Sequence, residues 1–410
     1  MTGTYQRGHM LARAGELKPG DIGLINQVLA GAGIGQRLGE PAENPPGSRL
    51  ADLIRVPIDI DAGPLAIHAD PLAIQNAVQA ARSADPSLPE LYADPQAGAG
   101  TIVPGVFFAD GKKSGHGMGW VPAPDSELGP AEPWNPDAPH PVIALLDSGV
   151  RPHFWLGDTG DLLQPVSLPF LQDADGLDGW RSPIGPVGPF AFGAPEGTHW
   201  GHGTFIAGLI RQAAPQARIL SMRVMDSSGQ ADDSAVIDAL NWLAVTQAVK
   251  PDIVLMSFGR RAVPNDATLP NVREAVAKVL ARNGVRVVAS AGNDGSDELV
   301  YPAAFAAEPG LPVISVGAIK SGSEIEPYSN FGPWVHRGWI GTEIISIHPL
   351  TFTGAGQHQI SKPFDDPAQP VQAESFAWWS GTSFAAAFVA AQLACGLAPG
   401  LPLPPRAAHP

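Results

Sequence analysis

From residue 142 onward the chain alternates short, unbroken apolar runs with stretches of helical spacing, and this alternation limits the fold more than any other feature. Residues 142–146 (Val-Ile-Ala-Leu-Leu) are apolar throughout, as a strand buried on both faces must be. Helical spacing follows over 202–212, then a strand over 218–225 and a helix over 234–249. A strand over 253–258 precedes a helix over 271–283. Further strands read at 285–290 and 313–318, and 384–397 reads as a long helix of small residues. Repeated strand–helix units predict an α/β fold with a doubly wound, mostly parallel sheet between two layers of helices. In such a sheet, reactive groups gather at the carboxyl ends of the strands.

The first third reads differently. Apolar spacing is helical over 24–38, alternates as a strand over 56–61, and is helical again over 71–84, with Asp70 as N-cap and Pro71 at the first helical position. Residues 101–109 offer one more strand. These pieces predict a smaller N-terminal α/β region over 1–121. Prolines at 122, 124, 130, 133, 136, 139 and 141 make 122–141 a linker. The main domain then spans 142–400, with a tail over 401–410. Gly31-Ala32-Gly33-Ile34-Gly35 lacks a preceding strand and the full phosphate-binding pattern, so it reads as a helix end or turn.

Three short segments carry the chemistry. Asp147 closes the apolar run and is followed by Ser148-Gly149. His202 sits in Gly201-His202-Gly203-Thr204. Ser383 sits in Gly381-Thr382-Ser383-Phe384-Ala385, at the start of the small-residue helix. A serine hydroxyl is a poor nucleophile until a neighbouring base takes its proton, and an imidazole oriented by a carboxylate is such a base. A fourth residue, Asn293 in Ala291-Gly292-Asn293, can donate an amide N–H to a developing oxyanion. Of the other histidines, His116, His153 and His199 lie outside the motif and read as ordinary packing or surface residues.

The order Asp, His, Ser is that of subtilisin; chymotrypsin and the α/β-hydrolases use other orders. Residues 141 to about 397 resemble the subtilisin-like serine peptidases (subtilases). Connecting text supports this: 201–208, 215–219, 224–229, Ser257-Phe258-Gly259 after an apolar strand, 289–293, and Tyr328-Ser329-Asn330-Phe331-Gly332. The resemblance implies Asp147, His202 and Ser383 as the triad and Asn293 with the Ser383 backbone N–H as oxyanion donors. It implies that Ser257, Phe258 and Gly259 bind an extended peptide. Ser290, Ala291 and Gly292 would wall the primary specificity pocket, with Val300 near its floor, narrowing it for small or medium apolar residues.

The chain departs from the family in several places. Arg260-Arg261 follows Gly259 where a second glycine is common; these cations are either selective for acidic substrates or solvated loop charges. Ala387 replaces a common proline. The loop over 209–215 lacks carboxylates, so a calcium site frequent in relatives is expected to be absent; no cofactor is expected. Asp173, Asp175 and Asp178 place oxygen ligands at suggestive spacing but fall short of an EF-hand loop, which leaves calcium as the alternative to no metal. Two long insertions, 153–199 and 348–378, flank the expected cleft, and Trp378-Trp379 could wall it or fill the core.

Formal net charge is −15, which disfavours nucleic acid and anionic membranes as partners; a peptide or protein substrate is expected. Cys395, the single cysteine, excludes an intrachain disulfide and reads as a buried small residue. No secretory leader or run of ~20 apolar residues is visible, so a cytoplasmic protein is expected. The reading is a serine endopeptidase whose N-terminal region acts as an intramolecular inhibitor or accessory domain. The alternatives are a dedicated precursor-processing protease or macrocyclase, and a non-catalytic binding module on the same scaffold.

Overall fold

The N-terminal region is built on strict period-2 alternation. A computed structural model describes residues 5–41, 53–59, 71–98, 105–107, 113–115, 119–121, 134–150, 153–156, 163–165, 199, 201–225, 229–320, 324–348, 375–396 and 401–402. The first elements are β1 (Tyr5–Arg13), α1 (Asp21–Gly31), β2 (Arg37–Leu38), β3 (Leu53–Asp59), α2 (Pro71–Arg82) and β4 (Tyr92–Gly98). The strands form an antiparallel sheet in the order β4-β1-β3-β2. Met10, Ala12, Val56, Ile58, Leu91 and Ala93 face a core with Ile22, Ile25 and Leu29 of α1 and Ile74 and Val78 of α2. Their neighbours Leu11, Leu53 and Tyr92 point the other way, into the core of the main domain. Both faces of this sheet are therefore buried, each against a different partner.

The helix expected over 24–38 starts earlier and stops at Gly31. Gly33 takes φ +74°, and the N–H groups of Gly33 and Ile34 close back on the carbonyls of Ala30 and Leu29. This paired closure with a left-handed glycine ends a helix, so the glycine cluster is a helix end as read. β1 and β4 were not evident in the sequence. Asp70 lies outside the described residues.

Short strands β5 (Gly105–Phe107), β6 (Lys113–Gly115) and β7 (Gly119–Val121) follow. The main sheet opens with β8 (Val142–Asp147), β9 (Leu163–Pro165), α3 (His202–Ala213) and β10 (Arg218–Arg223). After it come β11 (Gln230–Asp232), α4 (Asp233–Val245), β12 (Ile253–Met256), α5 (Leu269–Leu280), β13 (Arg286–Ser290) and β14 (Val313–Ile319). β15 (Arg337–Ile340), β16 (Ile344–His348), β17 (Ser375–Trp379), α6 (Thr382–Ala394) and β18 (Leu401–Pro402) complete the order. The sheet runs β18-β15-β14-β13-β12-β8-β10-β9 and is parallel apart from the β15–β18 pair.

Alternate residues of β8 divide the two helix layers. Ala144 and Leu146 join the α4–α5 core, while Ile143 and Leu145 join the core of α3 and α6. Asp147 ends this strand on the α3 side, which is how the sheet delivers a carboxylate to a helix N-terminus. The expected linker is partly structured: the Trp134 and His140 rings stack at 3.9 Å, and both segment ends are hydrogen-bonded to Gln216. Cys395 corrects its expectation. It is exposed, because α6 ends at Ala394 and Gly396 turns the chain away from the core.

Two joins tie the N-terminal region to the main domain. β4 pairs antiparallel with β11, with Gln96 opposite Asp232. β7 pairs antiparallel with β17, which itself pairs with β16. Among the described residues no helix is long and apolar enough to cross a membrane.

Candidate active site

Asp147 and His202 meet because two glycines permit it. Gly203, one residue into α3, lies so close to β8 that an added Cβ would sit 2.4 Å from the Gly149 carbonyl oxygen and 3.1 Å from Asp147 Oδ1. Any side chain there would push the helix off the strand end. His202 Nδ1 lies 2.9 and 3.0 Å from the two Asp147 carboxylate oxygens. The Ser148 N–H donates to Asp147 Oδ1 at 2.7 Å, and Ser148 Oγ accepts from the Gly203 N–H. Asp147 is fully buried and His202 is 2% exposed. A buried carboxylate on Nδ1 fixes the tautomer, so that Nε2 faces outward as the acceptor.

Aromatic rings hold the other edges of that imidazole. Trp379 lies 5.5 Å from it at 82°, Phe384 5.6 Å and His199 5.8 Å away, centroid to centroid. Trp379 is 2% exposed and also packs on Phe205 and Phe384. It therefore combines both roles read from the sequence, core aromatic and wall of the site. His199, read as an ordinary packing residue, is a buried neighbour of His202. His153 packs against Trp155 and Phe376. The side chain of Trp378, His116 and the carboxylates at 173–178 lie outside the described residues.

Ser383 is the second residue of α6 and is 1% exposed. Its hydroxyl donates to the Ser257 carbonyl at 3.1 Å, and Ser257 Oγ donates to the Ser383 carbonyl at 3.3 Å. The nucleophile candidate is thus turned toward the segment after β12 and not toward His202. A hydrogen bond from a nucleophile to its base often forms only once substrate is bound. Position 387 is a fully buried alanine within α6.

Asn293 is aimed by its neighbours. Its Oδ1 accepts from the Thr382 N–H at 2.9 Å and from Thr382 Oγ1 at 2.8 Å. The amide oxygen is thereby committed, and Nδ2 is left to donate beside Gly381, whose Cβ position is 3.4 Å away. Thr382 was not assigned a role from the sequence, although it stands inside the Gly-Thr-Ser motif. The Asn330 side chain braces the same loop: Nδ2 donates to the Ala291 carbonyl, and Oδ1 accepts from Asp294 and Ser296.

Ser257, Phe258 and Gly259 follow β12, and Ser290 ends β13, its parallel neighbour, with Ala291 and Gly292 just beyond. Val300 lies between the two segments: a Cβ on Gly259 would be 2.5 Å from one of its methyl carbons, and one on Gly292 3.7 Å from the other. Gly292 takes φ +102°, a left-handed conformation suited to glycine. Val300 is buried, and Arg260 and Tyr301 exchange two backbone hydrogen bonds just beyond it.

Neither reading of Arg260 survives. It is a buried cation, its guanidinium bidentate on both Asp233 and Asp266. Burial by itself would lower its pKa, but the attraction of Asp233 and the hydrogen bonds to both carboxylates raise it instead. Arg261, at the surface, reaches Glu298 at 2.7 Å. Among the described residues no group of three or more His, Cys, Asp or Glu side chains is placed to hold a metal ion.

A model of the subtilase family matches residues 139–402. Similar curated proteins include the minor extracellular protease Epr of Bacillus subtilis (strain 168), 31% identical over 229 residues, which cover 53% of this chain and 30% of that protein. The major intracellular serine protease of the same strain is 35% identical over 164 residues, 36% of this chain and 47% of its own length. The chain thus spans less than half the length of these relatives. A crystal structure of a cold adapted subtilisin-like serine proteinase aligns with a TM-score of 0.42 and 22% identity, covering 66% of this chain and 84% of that one.

Proposed function

Because this chain belongs to the subtilase family, we propose that it is a serine endopeptidase that hydrolyses peptide bonds through an acyl-enzyme on Ser383. The observation that carries this reading is the buried Asp147–His202 hydrogen bond at the N-terminus of α3, beside the first turn of α6. In the proposed cycle His202 Nε2 takes the Ser383 proton as Oγ attacks the scissile carbonyl. Asp147 stabilises the imidazolium without accepting its proton. Asn293 Nδ2 and the Ser383 N–H hold the oxyanion. The imidazolium then protonates the leaving amine, and water resolves the ester by the same steps. No cofactor takes part. Ser257, Phe258 and Gly259 bind the substrate backbone, and Val300 between Gly259 and Gly292 restricts the primary pocket to small or medium apolar side chains.

The N-terminal region, in this reading, is an intramolecular inhibitor. It is supported by the two strand pairings, β4 on β11 and β7 on β17, the second ending five residues before Ser383. One observation favours a narrower role. Ser383 and His202 are almost fully buried, which suits a dedicated precursor-processing protease or macrocyclase more than an open, general peptidase. A cytoplasmic place of work belongs to the same proposal.

The test is fluorophosphonate labelling of the full chain and of a chain nicked by limited proteolysis. The expected result is an adduct on Ser383, absent in Ser383→Ala and stronger after nicking. No adduct in either form would overturn the peptidase reading. Casein and single peptides then separate general from dedicated cleavage.

A further inference from the structure

Two chain segments supply the donors of the proposed oxyanion site, and a third segment ties them together. Asn293 lies in the loop after β13, and Ser383 lies in the first turn of α6. The tie is Tyr328, a buried residue that the proposed cycle leaves unused. Its backbone carbonyl holds one segment and its hydroxyl the other.

On the first side, the Tyr328 carbonyl accepts from the Gly295 N–H at 2.7 Å, two residues past Asn293. On the second side, the Tyr328 hydroxyl lies 2.9 Å from the Gly341 carbonyl oxygen and 3.0 Å from Thr342 Oγ1. The same Gly341 carbonyl accepts from the Gly381 N–H at 2.8 Å, two residues before Ser383. The fit is close. A Cβ on Gly341 would stand 2.7 Å from the Gly381 carbonyl oxygen and 3.3 Å from the Tyr328 hydroxyl.

A buried carboxylate sets the direction of these bonds. Thr342 Oγ1 donates to Glu326 Oε1 at 2.6 Å, and Glu326 is 4% exposed. With its proton committed there, Thr342 offers only lone pairs, so Tyr328 is the donor toward both Thr342 and Gly341. Burial raises the pKa of the Tyr328 hydroxyl above the ordinary 10, which keeps that proton in place. The ring packs in the core shared by α3 and α6, and this fixes where the hydroxyl stands.

Resting on the peptidase reading above, we propose that Tyr328 is a positioning residue, held by Thr342 and Glu326, that sets the separation of the two oxyanion donors. Its carbonyl fixes the loop of Asn293, and its hydroxyl fixes the turn that presents the Ser383 N–H. It acts through these two segments and not on the reacting atoms. Its effect belongs to the transition state, because only there do both donors have to converge on one charged oxygen.

The experiment uses the form of the chain, intact or nicked, that takes the fluorophosphonate. It compares the native protein with Tyr328→Phe, which keeps the ring and removes the hydroxyl. The ligands are one peptide substrate, its carboxyl-terminal product and the corresponding peptide aldehyde, to which a serine adds to give a hemiacetal with its oxygen at the oxyanion position. In Tyr328→Phe kcat should fall about tenfold, less than the ~10²–10³ lost with a whole donor, while KM stays within about twofold. The aldehyde should bind about tenfold more weakly and the product as before. The melting temperature should move by only a few degrees. Thr342→Val should lower kcat in the same sense, and Thr342→Ser, which keeps the hydroxyl, should retain it. Beside Asn293→Ala the Tyr328→Phe loss should shrink to about threefold or less, since one donor alone remains to be placed. An unchanged kcat in Tyr328→Phe would overturn the proposal. So would equal weakening of aldehyde and product, or a tenfold loss that persists in full beside Asn293→Ala. If Tyr328→Phe does not fold, the Thr342 variants decide, and equal kcat in the valine and serine forms sinks the idea. Failure of both the intact and the nicked native chain to label on Ser383 would overturn the peptidase reading itself.

Discussion

The central sheet and the N-terminal sheet are both buried on two faces, but by different means. β8 is sandwiched by apolar side chains from four helices, and its one polar residue at the end, Asp147, is matched at once by His202 and Ser148. The N-terminal sheet has an apolar face toward its own helices, while its other face, among the described residues, offers Leu11, Leu53 and Tyr92 to the main domain. Beside them the described contacts are polar. Arg55 reaches Ser234 Oγ at 3.1 Å and Asp238 at 3.5 Å, Gln96 donates to Asp232, and Asp94 accepts from the Ser234 N–H at 3.3 Å. Asp232, the residue before α4, makes no capping hydrogen bond with its side chain, and Asp94 accepts the Ser234 N–H from another part of the chain. Apolar sandwiching makes a permanent layer. A seam of capped N–H groups and short strand pairs can part, because water can satisfy each group it exposes.

The largest test strikes the permanent layer. Ser383→Ala should lower kcat by roughly a millionfold if Ser383 is the nucleophile, with the melting temperature nearly unchanged. Asn293→Ala should cost about 10²–10³ in kcat with little change in KM. Asn293→Asp sharpens this: it keeps an acceptor for Thr382 but loses the donor, so a loss as large as that of alanine assigns the effect to the oxyanion and not to loop support.

The next pair opposes the two faces of β1. Met10→Ala removes a buried side chain from the inner face and should destabilise the N-terminal unit by about 2–5 kcal/mol, seen as an earlier melting step. Leu11→Asp, one residue away, should leave that inner core folded and loosen the seam. Its readout is faster proteolytic nicking of the chain and higher activity on a small peptide. If both variants behave alike, the contrast between the faces is wrong.

The smallest effect concerns Asp94. Burial pushes its carboxyl pKa up, but the hydrogen bond and charge of His9, with help from Ser234 and Arg55, outweigh this and hold it below the ordinary 3.8. A lowered native value means that its stabilisation is complete above that pH and is lost as pH falls through the native value. Asp94→Asn should therefore cost about 1 kcal/mol near neutrality, and the gap from the native protein should close under pH 4 in thermal melts.

Regular elements of the main domain were legible because burial on both faces writes long apolar runs into sequence; β8, β10, β12, β13 and β14 all lie where the pattern put them. Asp147, His202, Ser383 and Asn293 were legible because glycines and small residues crowd around them, for reasons Gly203 and Gly292 make plain. β11, β15, β16 and β17 were missed. They are three to five residues long, and only partners distant in the chain make them strands. Arg260 was misread for the same reason: its burial depends on Asp233, 27 residues earlier, which no local pattern announces.

The paired attachments of the N-terminal region, at β11 and at β17, carry a consequence for how such a cover comes off. Each attachment holds the other at a high effective concentration, in the millimolar range for a short connection. A mutation that weakens one seam therefore changes occupancy within a single chain by less than it changes binding in a two-chain assay. Release is then governed by whether the backbone between the two attachments is cut, and only afterwards by affinity. Measured inhibition by the separated N-terminal piece would understate the restraint it exerts while still connected.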